Sequence, residues 1–582
     1  MDNTPSFTQL AKYCNKDMSG LAEFRLAVLG DCSTQHLVVA LKGVAFTQGI
    51  SLKAFDADYN QILPQVIDRN SELYQFQPDA LLIYMCSEKL FETWCATPCE
   101  ERIKFADSTY ARIKEYWSII TSYGSASILQ FTFAENEDSV SGNYACKRSD
   151  SFIYQLRRLN MLLMDGSSKN SSVYLIDLCG IQSRVGREKM FDAKLYYSAK
   201  IPISLYVLPL VAANVIDVIR ALRGETIKCV ILDLDGTLWG GTIGDDGLSG
   251  IQIGELGLGH AFSEFQMWLK ELKKRGILLA ACSKNEDPVA KAPFIKLEDM
   301  VLRLEDFTVF IANWEDKASN IRCIQKKLNI GMDSIVFIDD NPFERELVRA
   351  LIPQIIVPDL PEDPADFLPY LKRLNLFETA SFSEEDSKRT DLYRAEATRE
   401  ALRSQYTSFD EYLQSLEMIA LAAPFDDLHI PRIAQLTQRS NQFNLRTVRY
   451  TEREIFTIAN DPNRITLYFT LKDKLADHGL ISVVIMDKRE DNSLFLDTWL
   501  MSCRVLKRGM EEFIVNKIIE TGRGLGFNSI IGEYIQTSKN AMVSGVYEKL
   551  GFIRVGESTF VADVLSFANN KTYIKEHGHE PR

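Results

Sequence analysis

Residues 228–237 read KCVILDLDGT, an apolar run that ends in Asp233 and Asp235 and breaks at Gly236. A short apolar run closed by a turn residue predicts a buried strand. Three more pieces follow in order: Ser283 in LAACSKN, Lys317 in NWEDKASN, and Asp339–Asp340 in IVFIDDNP. The runs KCVILDLD, GILLAACS, DSIVFIDD and QIIVPD alternate with helical patterns, which predicts strand–helix units of one parallel sheet. Ligands of such sheets sit at the carboxyl ends of the strands. Asp233, Ser283 and Asp339 all fall at such ends.

Together these residue types spell phosphoryl transfer, which needs a nucleophile, charge neutralisation and a proton source. Asp233 is the expected nucleophile, through an aspartyl-phosphate. Asp235, two residues on and so on the same side of an extended strand, would protonate the leaving oxygen and later activate water. The Ser283 hydroxyl and the Lys317 ammonium would hold phosphate oxygens. Gly236, Thr237 and Asn285 flank these positions and are expected to line the substrate. Crowded carboxylates repel one another, and Mg²⁺ suits oxygen ligands beside a phosphate. Asp233, Asp339, Asp340 and the Asp235 carbonyl are the expected ligands. Asp233 and Ser283 lie 50 residues apart, Lys317 and Asp339 only 22. Neither gap holds a sizeable cap domain, so the site is open to a bulky or protein-borne substrate, or another domain covers it. The glycine-rich stretch WGGTIGDDGLSGI predicts a short flap.

The chain has 582 residues, 46% hydrophobic and 25% charged, the make-up of a globular protein with several domains. Its net charge of −13 argues against nucleic acid and anionic membranes as partners. No apolar run reaches spanning length, and the start lacks a basic-then-apolar signal. The most apolar region, IPISLYVLPLVAANVIDVI, is broken by two prolines and an Asp and predicts core. Eleven cysteines in a chain without a signal point to reduced thiols and a cytoplasmic location. Cys95 and Cys99 form a CxxxC without a second ligand pair at zinc spacing. Composition changes near 221–227 and across 358–390, where an acidic, Ser-rich stretch (SFSEEDS) begins. Residues 1–222 read as a parallel α/β domain and 226–360 as the phosphoryl-transfer domain. Residues 390–582 read as a mixed α+β domain, with RITLYFTL, LISVVIM, LFLDTWLM and SIIGEYI as strands.

The order DxDGT, Ser, Lys, DD resembles the haloacid-dehalogenase (HAD) superfamily. The wider strings DLDGTLWGG, IGDDGL, SKN and FIDDNPFERELVR, with SNQFNLRT and MSCRVLKRG, resemble the FkbH-like family of HAD class IIIC phosphatases over essentially the whole chain. The resemblance implies a HAD-type Rossmannoid core, an SGNH/flavodoxin-like α/β domain before it and a GNAT-like acyltransferase domain after it. It implies glyceryl transfer: a phosphoglyceryl group from 1,3-bisphosphoglycerate becomes a protein-bound thioester, loses its phosphate and passes to the phosphopantetheine thiol of an acyl-carrier protein. Such proteins accompany polyketide assembly lines and surface-glycan clusters. The alternatives are a phosphatase for a sugar phosphate or another small phosphate ester, with the flanking domains as scaffold, and a non-enzymatic assembly platform.

In MSCRVLKRGMEEFIVNKII, Arg504 and Gly509 fit the Q/R-x-x-G-x-G/A turn with which GNAT proteins bind pyrophosphate at a helix start. Lys507 stands at the first glycine, which argues against free acetyl-CoA. Tyr547 occupies the place of a GNAT tyrosine near the thiol leaving group. Asn441, Asn444 and Arg446 are expected to line a site. Three thiols compete to carry the acyl group: Cys503 beside the presumed pantetheine groove, then Cys282 beside Ser283, then Cys32. In LAVLGDCSTQ, Cys32 stands where an SGNH hydrolase has its Ser. The late DxxH is absent, FDAKLYYSAKIP offers only Asp192 and Tyr197, and His36 is the domain's only histidine. This predicts a structural or docking domain.

Overall fold

A computed structural model describes residues 5–136, 139–382, 386, 389–403, 405–537 and 539–577. The stretch SFSEEDS lies largely outside them. The chain forms two compact units, Met1–Arg220 and Ala221–Arg582.

The first unit holds five parallel strands, β1 (Ala22–Gly30), β2 (Ile50–Asp56), β3 (Ala80–Tyr84), β4 (Ser127–Phe131) and β5 (Val173–Ile176), in the order β2-β1-β3-β4-β5. All five residues of β3 are buried, the continuous apolar pattern of a sheet covered on both faces. This is a flavodoxin-like order, and the direction in which strands are added reverses between β1 and β3. Asp31, Cys32 and Cys86 gather at that switch point. The apolar stretch after residue 200 enters the helix Leu208–Leu222, whose Val211, Val215 and Ile219 are fully buried.

The second unit contains two sheets. β6 (Cys229–Leu232), β7 (Leu278–Ser283), β8 (Phe307–Ala312) and β9 (Ile335–Ile338) are parallel, in the order β8-β7-β6-β9. Alternation sorts their side chains. Val230, Leu232, Leu279, Ala281, Val336 and Ile338 enter one core. Cys229, Ile231, Ala280, Cys282 and Phe337 enter the other, under the helix Lys317–Leu328. The predicted strand QIIVPD is reduced to a single bridge between Val336 and Ile356. Pro353 and Pro358 bracket it, and proline cannot extend a ladder.

The second sheet is built from β10 (Ile419–Ala423), β11 (Phe443–Asn444), β12 (Arg464–Lys472), β13 (Asp477–Lys488), β14 (Ser493–Met501), β15 (Ser529–Glu533), β16 (Ile553–Arg554), β17 (Thr559–Asp563) and β18 (Lys575–Glu576). Its order is β16-β17-β15-β14-β13-β12-β10-β18, with β11 on β14. It is mainly antiparallel, and β14 and β15 run parallel. The helix Met510–Gly524 packs its Phe513, Ile514 and Ile518 into this core.

Asp31 is buried, accepts a hydrogen bond from the Cys86 amide (2.8 Å), and is pushed by burial up to about 6 from 3.8. A carboxylic acid raised on folding favours the fold below its unfolded value, and that support is lost as pH rises to about 6. A rise of that size is worth about 3 kcal/mol. Asp31→Asn keeps the acceptor and removes the charge. Its first unit should resist hydrogen exchange more strongly than wild type above pH 6, and equally near pH 4. Equal protection at both pH values would contradict this role for Asp31.

Candidate active site

The carboxyl ends of β6 and β9 sit side by side, because Asp233 N donates to the Ile338 carbonyl (3.0 Å). Carboxylate oxygens of Asp233, Asp339 and Asp340 lie within 4.8 Å of one another. Lys317 starts its helix after the Asp316 cap and reaches between two of them: Nζ is 2.8 Å from Asp233 Oδ2 and 2.6 Å from Asp339 Oδ2. Burial alone would lower its ammonium, but the Asp233 and Asp339 charges win and hold it above the usual lysine range. Burial, then the Asp233 charge, pushes Asp339 up against the pull of Lys317. Burial also raises Asp340, opposed by its Thr237 hydrogen bond.

One ammonium cannot balance three carboxylates. Asp233 Oδ1 is enclosed and has no hydrogen-bond partner. Three clustered carboxylates, one with a buried and unpaired oxygen, are a donor set for a hard divalent cation, so the residues fit the Mg²⁺ the sequence implies.

The turn after β6 supplies the rest. Gly236 has φ +69°, and a Cβ there would collide with the Asp340 carboxylate. Thr237 is fully buried; its hydroxyl donates to Asp340 Oδ1 (2.9 Å) and accepts from the Asp340 amide (3.0 Å). Both residues therefore position Asp340. Asp235 accepts from Trp239 Nε1 (2.8 Å), the Ile243 amide (2.8 Å) and Asn285 Nδ2 (2.7 Å). Asn285 also donates to Ser283 Oγ (3.3 Å), joining the ends of β6 and β7. The predicted flap contains a short kinked helix, Ile243–Gly250, with Gly247 at φ +65°. Trp239 escapes sequence reasoning, as does Arg345, whose guanidinium donates to the Asp339 and Asp340 carbonyls. Only the packed turn shows which carbonyls need a donor.

Several expected site residues turn out to be structural. Cys282 points away from Ser283 into the core under Ala318 and Ile321, and burial pushes its thiol up to about 12. Tyr547 is 1% exposed, its ring packed under Gly532 and stacked on Phe560 (5.1 Å). Asn444 lies in β11, and its carboxamide accepts from the Thr447 amide (2.8 Å). Arg446 pairs with Asp497 and Glu533, each at 2.8 Å. These residues belong to a segment that fills the gap where β14 and β15 part after three paired residues. Phe443 and Asn444 pair with β14, and the Leu445 carbonyl accepts from the Ile535 amide (2.8 Å). The glycine-type turn survives: Lys507 has φ +62° and Gly509 +81°. Its anion position is taken by the chain itself, for the Lys507 amide donates to the Glu511 carboxylate (3.1 Å). Asn441, Cys503 and Arg504 do face a cleft, on the amino-end side of the β6–β9 sheet.

In the first unit, burial, then its Cys86 contact, holds the Cys32 thiol well above its usual range. His36 stacks on Phe7 (5.5 Å) and its Nδ1 has no hydrogen-bond partner. Asp192 caps the helix Ala193–Ala199, and Tyr197 is exposed. Cys95 and Cys99 are exposed. Among the described residues, the groups able to hold a metal are Asp233–Asp339–Asp340 and Asp31–Cys32–Cys86.

Parallel sheet, DxDGT turn, lysine and paired aspartates together define a HAD-type phosphatase domain. Residues 25–220 match the model of the FkbH N-terminal domain. The crystal structure of the N-terminal part of the protein BF1531 from Bacteroides fragilis, containing a phosphatase domain and complexed with Mg, is 44% identical. It covers 65% of this chain and 100% of that chain, with a TM-score of 0.62. The chain belongs to the FkbH-like family. The ribosomal-protein-S18-alanine N-acetyltransferase from Escherichia coli also matches, at 14% identity, 24% of this chain, 90% of that chain and a TM-score of 0.20. No curated protein matches the sequence. Among the described residues no helix is long and apolar enough to cross a membrane.

Mg²⁺ at tenfold excess over Kd should stabilise the second unit by about 1.4 kcal/mol, read as a rise in melting temperature. Asp340→Asn should lose that rise. Tyr547→Phe should leave enzyme activity within about twofold of wild type, since the ring is buried under Gly532. A loss of a hundredfold would return Tyr547 to the chemistry.

Proposed function

We propose that the protein is a Mg²⁺-dependent glyceryl transferase and phosphatase. It takes a phosphoglyceryl group from 1,3-bisphosphoglycerate, removes the remaining phosphate and delivers the glyceryl thioester to an acyl-carrier protein, in the cytoplasm and on a polyketide-type pathway. The observation that carries the phosphatase half is the clustering of the Asp233, Asp339 and Asp340 carboxylates, with Asp233 Oδ1 enclosed and unpartnered. Asp233, Asp339, Asp340 and the Asp235 carbonyl would hold the ion. Bound there, Mg²⁺ offsets the negative charge of carboxylates and phosphate.

Each residue has its own task. Asp233 attacks phosphorus; an Asp–phosphate bond forms as the bond from phosphorus to the leaving oxygen breaks. Asp235, fixed by three donors, gives that oxygen a proton and then takes one from the water that cleaves the aspartyl-phosphate. Ser283 and Lys317 hold the phosphate oxygens, and Asn285 keeps Ser283 and Asp235 in register. Cys503 is the thiol that carries the acyl group. The absence of a cap segment between Lys317 and Asp339, where one helix fills the gap, suits a phosphate presented on a protein-borne arm.

A second reading keeps the phosphatase and drops the transfer: a sugar phosphate or similar ester is hydrolysed, with the flanking domains as scaffold. The gap between β14 and β15 filled by residues 443–445 favours it over a CoA-dependent acyltransferase.

Incubation with Mg²⁺, 1,3-bisphosphoglycerate and a carrier protein should release phosphate and leave a glyceryl-sized adduct on the carrier. Phosphate release without any adduct would select the second reading. Asp233→Asn should lower release of the second phosphate, the one left on the glyceryl group, by at least about 10³-fold; retained hydrolysis of that ester would remove Asp233 as nucleophile.

A further inference from the structure

A cleft of about 480 Å³ opens within the second unit between the amino ends of β6 and β9 and the end of β14. It lies at the opposite end of β6 from the phosphoryl site. Lys228 precedes the strand and Asp233 follows it, about 17 Å away at 3.3 Å per residue. The lining carries six cations and two carboxylates, in a chain whose net charge is −13.

Some of those cations are spoken for. Arg439 pairs with Asp386 (2.8 Å), Arg389 pairs with the same carboxylate, and Lys539 pairs with Asp333 (2.6 Å). Arg504 Nη1 is enclosed and has no hydrogen-bond partner, and only its Nε is used, on Ser502 Oγ (3.2 Å). Burial lowers the Lys228 ammonium, and Cys503 is the neighbour that most opposes this. Cys503 is held at the wall by its carbonyl, which accepts from Asn329 Nδ2 (3.3 Å) at the start of the turn into β9. A thiol bordered by cations is the setting of a reactive cysteine. A guanidinium with an unpaired N–H, on a residue that lines a cavity of ligand size, is the setting of an anion site.

We propose that this cleft binds a phosphate-bearing acyl or thiol ligand, with Lys228 and Arg504 on the phosphate and Cys503 at the sulfur or thioester carbon. For its chemistry at Cys503 the proposal rests on the transfer reading above. It adds that the HAD domain supplies half of the transfer site from the back of its own sheet. It also sets the order of events. A phosphoryl group on a ligand seated at Cys503 cannot reach Asp233, so dephosphorylation takes place on an arm that has left the cleft. The phosphate has two possible sources, the carrier's phosphopantetheine arm or a phosphorylated acyl group.

The test is alkylation of Cys503 by iodoacetamide in the full chain, followed by peptide mass spectrometry, with S-methyl-4′-phosphopantetheine or 3-phosphoglycerate as probe. At least one probe should slow Cys503 modification roughly tenfold and leave exposed Cys95 and Cys323 at their original rates. Protection by the first assigns the arm, and by the second the acyl group. Lys228→Met should abolish protection and Lys228→Arg should restore it. No protection of wild type by either probe, or full protection in Lys228→Met, overturns the proposal. Protection without any acyl adduct on Cys503 keeps the anion site and removes the transfer reading. An adduct formed at the wild-type rate in Lys228→Met does the reverse.

Discussion

Three carboxylates held at the ends of two adjacent strands, with one ammonium between them, set the terms for the second unit. Parallel pairing of β6 and β9 forces Asp233 and Asp339 together, and the Thr237 hydroxyl adds Asp340. Lys317 can bridge two of them only by sitting buried at the start of its helix. Everything close by serves that arrangement. Gly236 makes room for Asp340, Arg345 ties down the following carbonyls, and the two apolar layers fix the strand ends. The surplus negative charge is what a divalent cation resolves.

The same strand joins two environments of opposite sign. Its carboxyl end is acidic and its amino end opens on the basic cleft beside Cys503. A rigid four-residue strand keeps the two apart, so chemistry at both ends needs a ligand that moves. The larger sheet has meanwhile filled its own openings, with Glu511 on the loop amide and residues 443–445 between β14 and β15. A scaffold that places a thiol is what such a filled sheet can still offer.

The phosphoryl site is almost wholly legible in the sequence. DxDGT, Ser283, Lys317 and the paired aspartates are local signals at strand ends, and alternation within a strand is a period of two. The same rule holds the answer for Cys282, which alternation turns to the opposite core from Leu279 and Ala281. Tyr547, Asn444 and Arg446 pass for site residues in the sequence because their partners are distant: Gly532 and Phe560 for the tyrosine, Asp497 and Glu533 for the arginine. A polar residue in a motif-like string looks the same whether it meets a ligand or a neighbouring strand. The cleft is invisible for a similar reason. Lys228, Asn329 and Arg504 are scattered along the chain, and only the packing of two sheets brings them to one cavity.

The central claim is that Asp233, Asp339 and Asp340 share a single divalent ion. An anomalous difference map from crystals soaked in Mn²⁺ reads this directly. One strong peak per chain is expected, within coordinating distance of all three carboxylates. A peak elsewhere, or none among those side chains with Lys317 still bridging two of them, would contradict it.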